Sequence, residues 1–576
     1  MRVLPSANDH FDAVVIGSGF GGSVMAYRLA DAGKRVCVLE RGKRYPPGSF
    51  ARTPVELRHN FWRPKKRDYG LFDVWSFDHI EAVVSAGVGG GSLIYGNVLI
   101  RKDEQWFAPD EGWPVTRQDL EPHYDAVECM LGPQVYPHAY RHDNKTAAMG
   151  RAADELRIGR TTYDDVNPKI AQWYLPLLAV TFTNGREPPR PGQAIPGSDC
   201  NIHGALRQTC RLCGECDVGC NYGSKNTLDY NYLSAAAVRR ALICELCEAK
   251  TIAPVRCDGR TAYQVTFVAH DPDDPTDAAR RPRIAITCDR LILACGTLGT
   301  TLLLLRNRDN LPNLSSALGK GFSGNGDYLA FARHCTKREH GTRKPVPLNA
   351  SRAPVITSTF RFPDRLDGGS EDGRGFYLQD AGYPLLGDYL WEALEPVHVF
   401  RRMLKFAWKR IAAKIWHRSQ TELGAQLEGV IGDAAPSLSS MPLLGFGRDI
   451  PDGEMTLRGS RLQISWRTTA SKEYLDRVDP QARAVAEALG GRYGQNPLTR
   501  AFNRLITVHP LGGCRMGRSV QDAVVDSSGE VFNYPGLYVA DGSVMPGPVG
   551  ANPSFTIAAL ADRFATKMLE KERRGA

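Results

Sequence analysis

The segment from Phe11 to Glu40 constrains this chain more tightly than any other. Phe11 to Ile16 (FDAVVI) is an apolar, β-branched run suited to a buried parallel strand. Gly17-Ser18-Gly19-Phe20-Gly21-Gly22 follows at once, then a helical pattern with Met25 and Leu29 on one face. A second apolar run, Arg35 to Leu39, ends at Glu40. Strand, GxGxxG turn, helix, strand and acid together form a dinucleotide-binding unit. Gly17 permits the tight turn, Gly19 lets backbone approach a pyrophosphate, and Gly22 lets helix and strand pack closely. The helix start offers partial positive charge to phosphates, and Glu40 is placed to accept ribose hydroxyls. The unit does not by itself separate FAD from NAD.

Two further segments point the same way. Gly87-Val88-Gly89-Gly90-Gly91-Ser92-Leu93 contains three consecutive glycines, whose entropic cost implies close approach of backbone to another body. Its flanks are apolar and strand-like, unlike those of a linker. Phe532 to Asp541 (FNYPGLYVAD) reads as turn, short buried strand and an acid at the strand's carboxyl end, where ligands of doubly wound folds sit. A glycine- and proline-rich loop then leads into a long helix.

At 576 residues the chain is too long for one ordinary core, and two intertwined domains are expected. No run approaches the ~20 apolar residues that span a bilayer, and the N-terminus runs straight into a strand with no signal-peptide pattern. Fourteen cysteines in such a chain argue for a reducing compartment, and the expected location is cytoplasmic.

Four of those cysteines, Cys210, Cys213, Cys216 and Cys220, fall in the run TCRLCGECDVGC. The spacing C-x2-C-x2-C-x3-C is that of cubane iron–sulfur ligands. Zinc sites usually split their ligands into distant pairs, whereas these lie within eleven residues. Against the ferredoxin pattern, no second run exists and Asn221 stands where proline usually follows; Cys200 is a substitute ligand. A [4Fe–4S] cluster, zinc and metal-free thiols all remain open on these residues. A cluster would select a dehydrogenase that passes single electrons to a quinone, ferredoxin or cytochrome. Cys244 and Cys247 lie in an apolar strand pattern and read as core.

The order of the motifs resembles that of the glucose–methanol–choline (GMC) oxidoreductases, nearest the cholesterol-oxidase branch. It runs GSGFGG, GVGGGSL at 87–93, KNTLDYNYL at 225–233, ACGTLGTTLLLLR at 294–306, LGKGFSGNGD at 318–327, HPLGGC at 509–514 and DGSVMPGPVGANP at 541–553. The resemblance implies an α/β fold: a Rossmann-like FAD-binding domain built from discontinuous segments (1–45, 81–130, 200–330 and 500–576). A substrate domain with an antiparallel sheet and helices (46–80, 131–199 and 331–499) completes it. It implies that Gly17, Ser18, Gly19, Gly22 and Glu40 hold the ADP half of FAD. Gly90, Gly91, Ser92, Tyr95, Gly96 and Asn97 would line the flavin, and Asp541 and Gly542 the ribityl-pyrophosphate region. Tyr95 stands where the family usually has Asn, with Asn97 two residues later.

An imidazole suits proton transfer near neutrality, and the resemblance places the catalytic histidine at His509 and its hydrogen-bonding partner at Asn552. Cholesterol oxidases carry a glutamate in the substrate domain where FYLQDAGYP places Gln379, with Asp380 beside it. Gln379 cannot act as a base, so double-bond isomerisation would need Asp380. His203, His398 and His417 read as ordinary.

Residues 397–418 (VHVFRRMLKFAWKRIAAKIWHR) carry seven basic residues, no acid and interleaved apolar residues, an amphipathic pattern suited to a cover over the substrate domain or to an anionic membrane face. Nucleic-acid binding is not expected. The reading is FAD-dependent oxidation of a bulky hydrophobic, sterol-like secondary alcohol, with electrons relayed by the cluster to an external acceptor. Its rivals are an oxygen-using oxidase with a structural cysteine loop, an electron-transfer flavoprotein and a non-redox flavoprotein.

Overall fold

The computed structural model describes residues 4–575 apart from 108–110, 143, 186–187, 258, 275–280, 371–372, 384–437, 467–468 and 496–503. The basic segment 397–418, with His398 and His417, lies outside the described residues. Among the described residues no helix is long and apolar enough to cross a membrane.

One seven-stranded sheet carries the dinucleotide end. Its strands run in the order Leu242–Cys244, Val36–Leu39, His10–Ile16, Arg283–Leu293, Arg260–Ala269 and Cys247–Cys257, and Leu537–Val539 also pairs with Arg283–Leu293. The pairings around His10–Ile16 are parallel, as is that of Leu537–Val539. Arg260–Ala269 pairs antiparallel with both of its neighbours. The apolar run behaves as its composition requires: Val14, Val15, Ile16 and all of Val36–Leu39 are buried. Helix Phe20–Asp31 covers the sheet together with the final helix, Ser554–Gly575. The two helices are tied by the ion pair of Arg28 with Asp562, and Arg28 also donates to Thr566 Oγ1 at 3.0 Å.

Cys244 and Cys247 are buried core, though not in one strand. Leu246 takes a left-handed conformation (φ 57°), so the chain turns between them and each begins or ends a separate strand of the sheet.

A second seven-stranded sheet faces the first across the pocket. Its order is Arg492–Gln495, Tyr328–Arg333, Met441–Gly447, Phe376–Asp380, Thr359–Phe362, Gln172–Tyr174 and Gly159–Arg160. Every pairing is antiparallel except the last. Helices Lys145–Glu155 and Lys472–Ala488 supply its core through Met149, Ala152, Tyr474, Val478 and Val485. Buried ion pairs pin this half. Lys145 meets Asp380 at 2.6 Å, Arg361 meets Asp367 at 2.7 Å, and Arg448 meets Asp364 at 2.7 Å. A smaller sheet, Leu505–Thr507 with Ile80–Ser85 and Phe72–Ser76, delivers the chain to His509.

Candidate active site

A cavity of about 770 Å3 runs from the carboxyl ends of the parallel strands to the face of the second sheet. At the dinucleotide end its wall is largely backbone. Gly17 has φ +100°, and a Cβ there would lie 2.2 Å from the Ala294 carbonyl oxygen. Gly21 packs closer still: a Cβ would fall 1.5 Å from the carbonyl oxygen of Ala540. Gly19 begins helix Phe20–Asp31 with no side-chain cap, so the first helical amides remain available to an anion. Glu40 is almost fully buried on the same wall. It accepts Ser18 N at 3.0 Å, Ser18 Oγ at 2.8 Å and Gly42 N at 2.9 Å, while burial pushes its carboxyl above the usual range. Asp541 accepts Ser543 N at 2.9 Å, Gly296 N at 3.0 Å and Thr300 Oγ1 at 2.5 Å, and so joins two helix starts at the pocket.

The expected lining residues divide. Gly17, Ser18, Gly19, Glu40, Gly90, Gly91, Tyr95, Gly96, Asp541 and Gly542 border the cavity. Gly22 does not; it packs against the Gly17 carbonyl, as its helix–strand role requires. Ser92 is fully buried and turned inward, donating to Gly89 O at 2.7 Å and accepting Leu228 N at 3.1 Å, so it shapes the loop. Asn97, at φ +69°, is buried beside Cys216, and Tyr95 with Gly96 takes the pocket position.

At the far end His509 and Asn552 both border the cavity. His509 Nδ1 lies 2.8 Å from Asp327 Oδ1, and Phe446 packs on the imidazole in a T-shaped contact at 5.0 Å between ring centres. Asn552 pairs with Gln379, whose Nε2 donates to Asn552 Oδ1 at 2.9 Å. Leu329, Phe331, Ile356, Leu444, Phe446 and Val508 make this end apolar. Asp327 closes the LGKGFSGNGD segment, and nothing in that segment reveals its partner 182 residues away.

Asp380 does not border the cavity. Neighbouring strand residues point to opposite faces: Gln379 reaches Asn552, and Asp380 points away to its ion pair with Lys145. Asp380 also accepts from Thr357 N (3.1 Å), Thr357 Oγ1 (2.9 Å), Ser358 N (2.5 Å) and Ser358 Oγ (2.9 Å). His203 is likewise buried, paired with Asp229 at 2.7 Å.

The four cysteines border one cavity of about 20 Å3, room for roughly one water molecule. Among the described residues no group of three or more His, Cys, Asp or Glu side chains is placed to hold a metal ion. The predicted ligand cage is therefore not formed in this arrangement, and the loop's main chain is held from several sides. Cys210 N donates to Thr181 O at 2.8 Å, Cys213 bridges to Ala353, and Cys216 opens the turn Cys216–Val218. Burial pushes the thiols of Cys210, Cys213 and Cys216 up, favouring their protonated form.

That turn nonetheless reaches the main pocket. Asp217 and Val218 border it, and burial pushes the Asp217 carboxyl up to about 6. Lys225, pushed down to about 8 by burial, donates from Nζ to Leu93 O (3.2 Å), Tyr95 O (2.9 Å) and Cys216 O (2.7 Å). One ammonium group thus joins the glycine-rich loop to the cysteine loop.

Comparison with known proteins agrees with this geometry. A family profile described as GMC oxidoreductase matches residues 463–561, and one described as NAD(P)-binding Rossmann-like domain matches residues 15–71. A cholesterol oxidase of Mycobacterium tuberculosis is 30% identical over 575 residues, covering 96% of this chain and 90% of that protein. A cholesterol oxidase of Acinetobacter baumannii is 29% identical over 579 residues, covering 96% and 94%. Among solved structures, pyridoxine 4-oxidase from Mesorbium loti superposes with a TM-score of 0.57 at 16% identity, covering 97% of this chain and 99% of that one. That likeness is one of fold.

Proposed function

The chain belongs to the GMC oxidoreductase family, and from that premise we propose that it is an FAD-dependent enzyme oxidising a bulky, apolar, sterol-like secondary alcohol to its ketone. One observation carries the reading: His509 and Asn552 open onto an apolar end of the same cavity whose other end is the dinucleotide cradle.

The residues present fit FAD. Gly17, Gly19 and Glu40 would hold its ADP half, Asp541 and Gly542 the linking chain, and Gly90, Gly91, Tyr95 and Gly96 the ring. When bound, FAD supplies the two-electron acceptor for the hydride. The protein's own task is to hold the alcohol and move its proton. Nδ1 of His509 is engaged by Asp327, so Nε2 is the nitrogen left to take the hydroxyl proton. The Asn552 amide, held by Gln379, orients the same oxygen. With Gln379 no base and Asp380 locked to Lys145, oxidation proceeds without double-bond isomerisation.

Molecular oxygen is the electron acceptor in this reading. It is supported by the tight packing around the cysteine loop and by the oxidase names of the relatives. A second reading keeps the relay through a [4Fe–4S] cluster at Cys210, Cys213, Cys216 and Cys220. It is favoured by the contact of the Cys216–Val218 turn with the pocket and requires that loop to rearrange.

The deciding experiment uses protein purified without air. Bleaching of the flavin's visible absorbance by a sterol supports alcohol oxidation; no bleaching by any apolar alcohol would leave an electron-transfer flavoprotein. Hydrogen peroxide on admitting air, with no bound iron or acid-labile sulfide, supports the oxygen reading. About four irons per flavin, with a reduced-cluster EPR signal lost in C213S, would replace it with the relay.

A further inference from the structure

We propose that Asp327 is a positioning residue for proton transfer: its carboxylate fixes the His509 imidazole with Nε2 toward the pocket and balances the charge His509 gains on taking the substrate proton. The proposal rests on the assignment of His509 made above.

Both carboxylate oxygens of Asp327 address one tripeptide. Oδ2 accepts Thr507 Oγ1 at 2.8 Å, Val508 N at 2.7 Å and His509 N at 3.1 Å, while Oδ1 meets His509 Nδ1 at 2.8 Å. The first three contacts fix the backbone turn that presents the histidine. The fourth does something different. An ionised carboxylate only accepts hydrogen bonds, so Nδ1 must carry the hydrogen and the lone pair of the neutral ring sits on Nε2. Phe446 packs against the ring in a T-shaped contact, and Asp327 itself is nearly buried. A negative charge fixed there stands opposite the positive charge the ring gains on taking the substrate proton.

The proton balance is simple. The substrate O–H bond breaks, an N–H bond forms at Nε2, and the Nδ1 proton stays on Nδ1 beside Asp327. A second carboxyl and a phenol also face Asp327: Asp449, which burial pushes up to about 6, and Tyr474. Asp449 is spent on the loop, accepting Ser323 Oγ at 2.6 Å and Gly324 N at 2.9 Å. It makes no bond to His509.

The test compares D327N, D327E, D449N and H509Q in the flavin-loaded enzyme, by kcat, KM and the pH profile of kcat with a sterol. D327N is expected to lose on the order of 100-fold or more in kcat while KM moves little. Its acid limb is expected at lower pH by about 1 unit or more, because the carboxylate beside Nδ1 is gone. D327E, which keeps the charge, is expected to hold the limb at its original pH, and so is D449N. D327N within about threefold of the wild-type kcat, with an unmoved limb, would overturn the proposal and leave Asp327 as a cap on residues 507–509. A limb shift in D449N equal to that in D327N would also overturn it. If D327N cannot retain flavin, D327E decides: a limb displaced despite the retained charge overturns the role. An active H509Q removes the histidine assignment and this proposal with it. An inactive H509Q beside a normal D327N removes the role of Asp327 alone.

Discussion

At the dinucleotide end of the cavity the wall is main chain, with Gly17, Gly19, Gly90 and Gly91 against the ligand space and Gly21 packed on Ala540. At the alcohol end it is side chains, with Phe331, Leu444 and Phe446 on a sheet held by Lys145–Asp380, Arg361–Asp367 and Arg448–Asp364. At Gly17, Gly21 and Gly90 the first end has no volume to yield to an added side chain. The second is a set of matched partners, which can be exchanged together though not singly.

The strongest way to break that contrast is G21A. A methyl group 1.5 Å from the Ala540 carbonyl oxygen forces helix and strand apart. We expect a cost above about 4 kcal/mol and a loss of flavin content of more than about tenfold, read as flavin absorbance per protein. A flavin-loaded G21A would show that the cradle can yield after all.

H509A comes next. Its kcat with a sterol should fall on the order of 10²–10⁴-fold with flavin retained, since the change touches only the far end. Equal loss of flavin and activity would mean that the two ends are one unit.

Exchangeability is tested by K145M, which leaves Asp380 as an unpaired buried charge and should cost about 3–5 kcal/mol in chemical denaturation. Replacing both partners in K145M/D380L should restore most of that loss. A double variant as weak as the single one would show that this sheet is no more adaptable than the glycine wall.

The smallest effect concerns acid. Glu248 borders the cavity at the dinucleotide end. Burial opposes its ionisation, but the His270 hydrogen bond and Lys250 outweigh burial and hold the carboxyl down at about 2, from an ordinary 4.5. A depressed carboxyl stabilises the fold above its unfolded value. The contribution is therefore present above about pH 4.5 and lost as pH falls toward 2. Denaturation midpoints should drop across that window, and H270Q should flatten the drop; an unchanged slope would remove Glu248 from the account.

The same contrast explains what the chain disclosed as a sequence. FDAVVIGSGFGG and Glu40 were legible because turn, helix start and acid lie within thirty residues and need no distant partner. Asp327 was not, since its meaning depends on a histidine 182 residues later. Whether Asp380 could stand in as a base was open in the sequence, because adjacency in sequence is not adjacency on a strand. The cysteine spacing is equally local, but Thr181, Ala353 and Lys225 hold the backbone that carries those thiols, and none of them is implied by C-x2-C-x2-C-x3-C. That Tyr95 borders the cavity while Asn97, at positive φ, is buried beside Cys216 is a matter of backbone course, which composition does not reveal.

The pairing of His10–Ile16 with Arg283–Leu293, and of that strand with Leu537–Val539, sets a timetable for biosynthesis. At about 5–20 residues per second, the ribosome needs roughly half a minute to two minutes to travel from Ile16 to Val539. Val36–Leu39 and Arg283–Leu293 join His10–Ile16 earlier in that interval, so it is the open side of Arg283–Leu293 that waits for Leu537–Val539, a natural client for chaperones, while the second sheet can already close. Flavin cannot be captured by the nascent chain. A premature stop before Leu537 would therefore yield a colourless protein, with no partly active flavoprotein in its place.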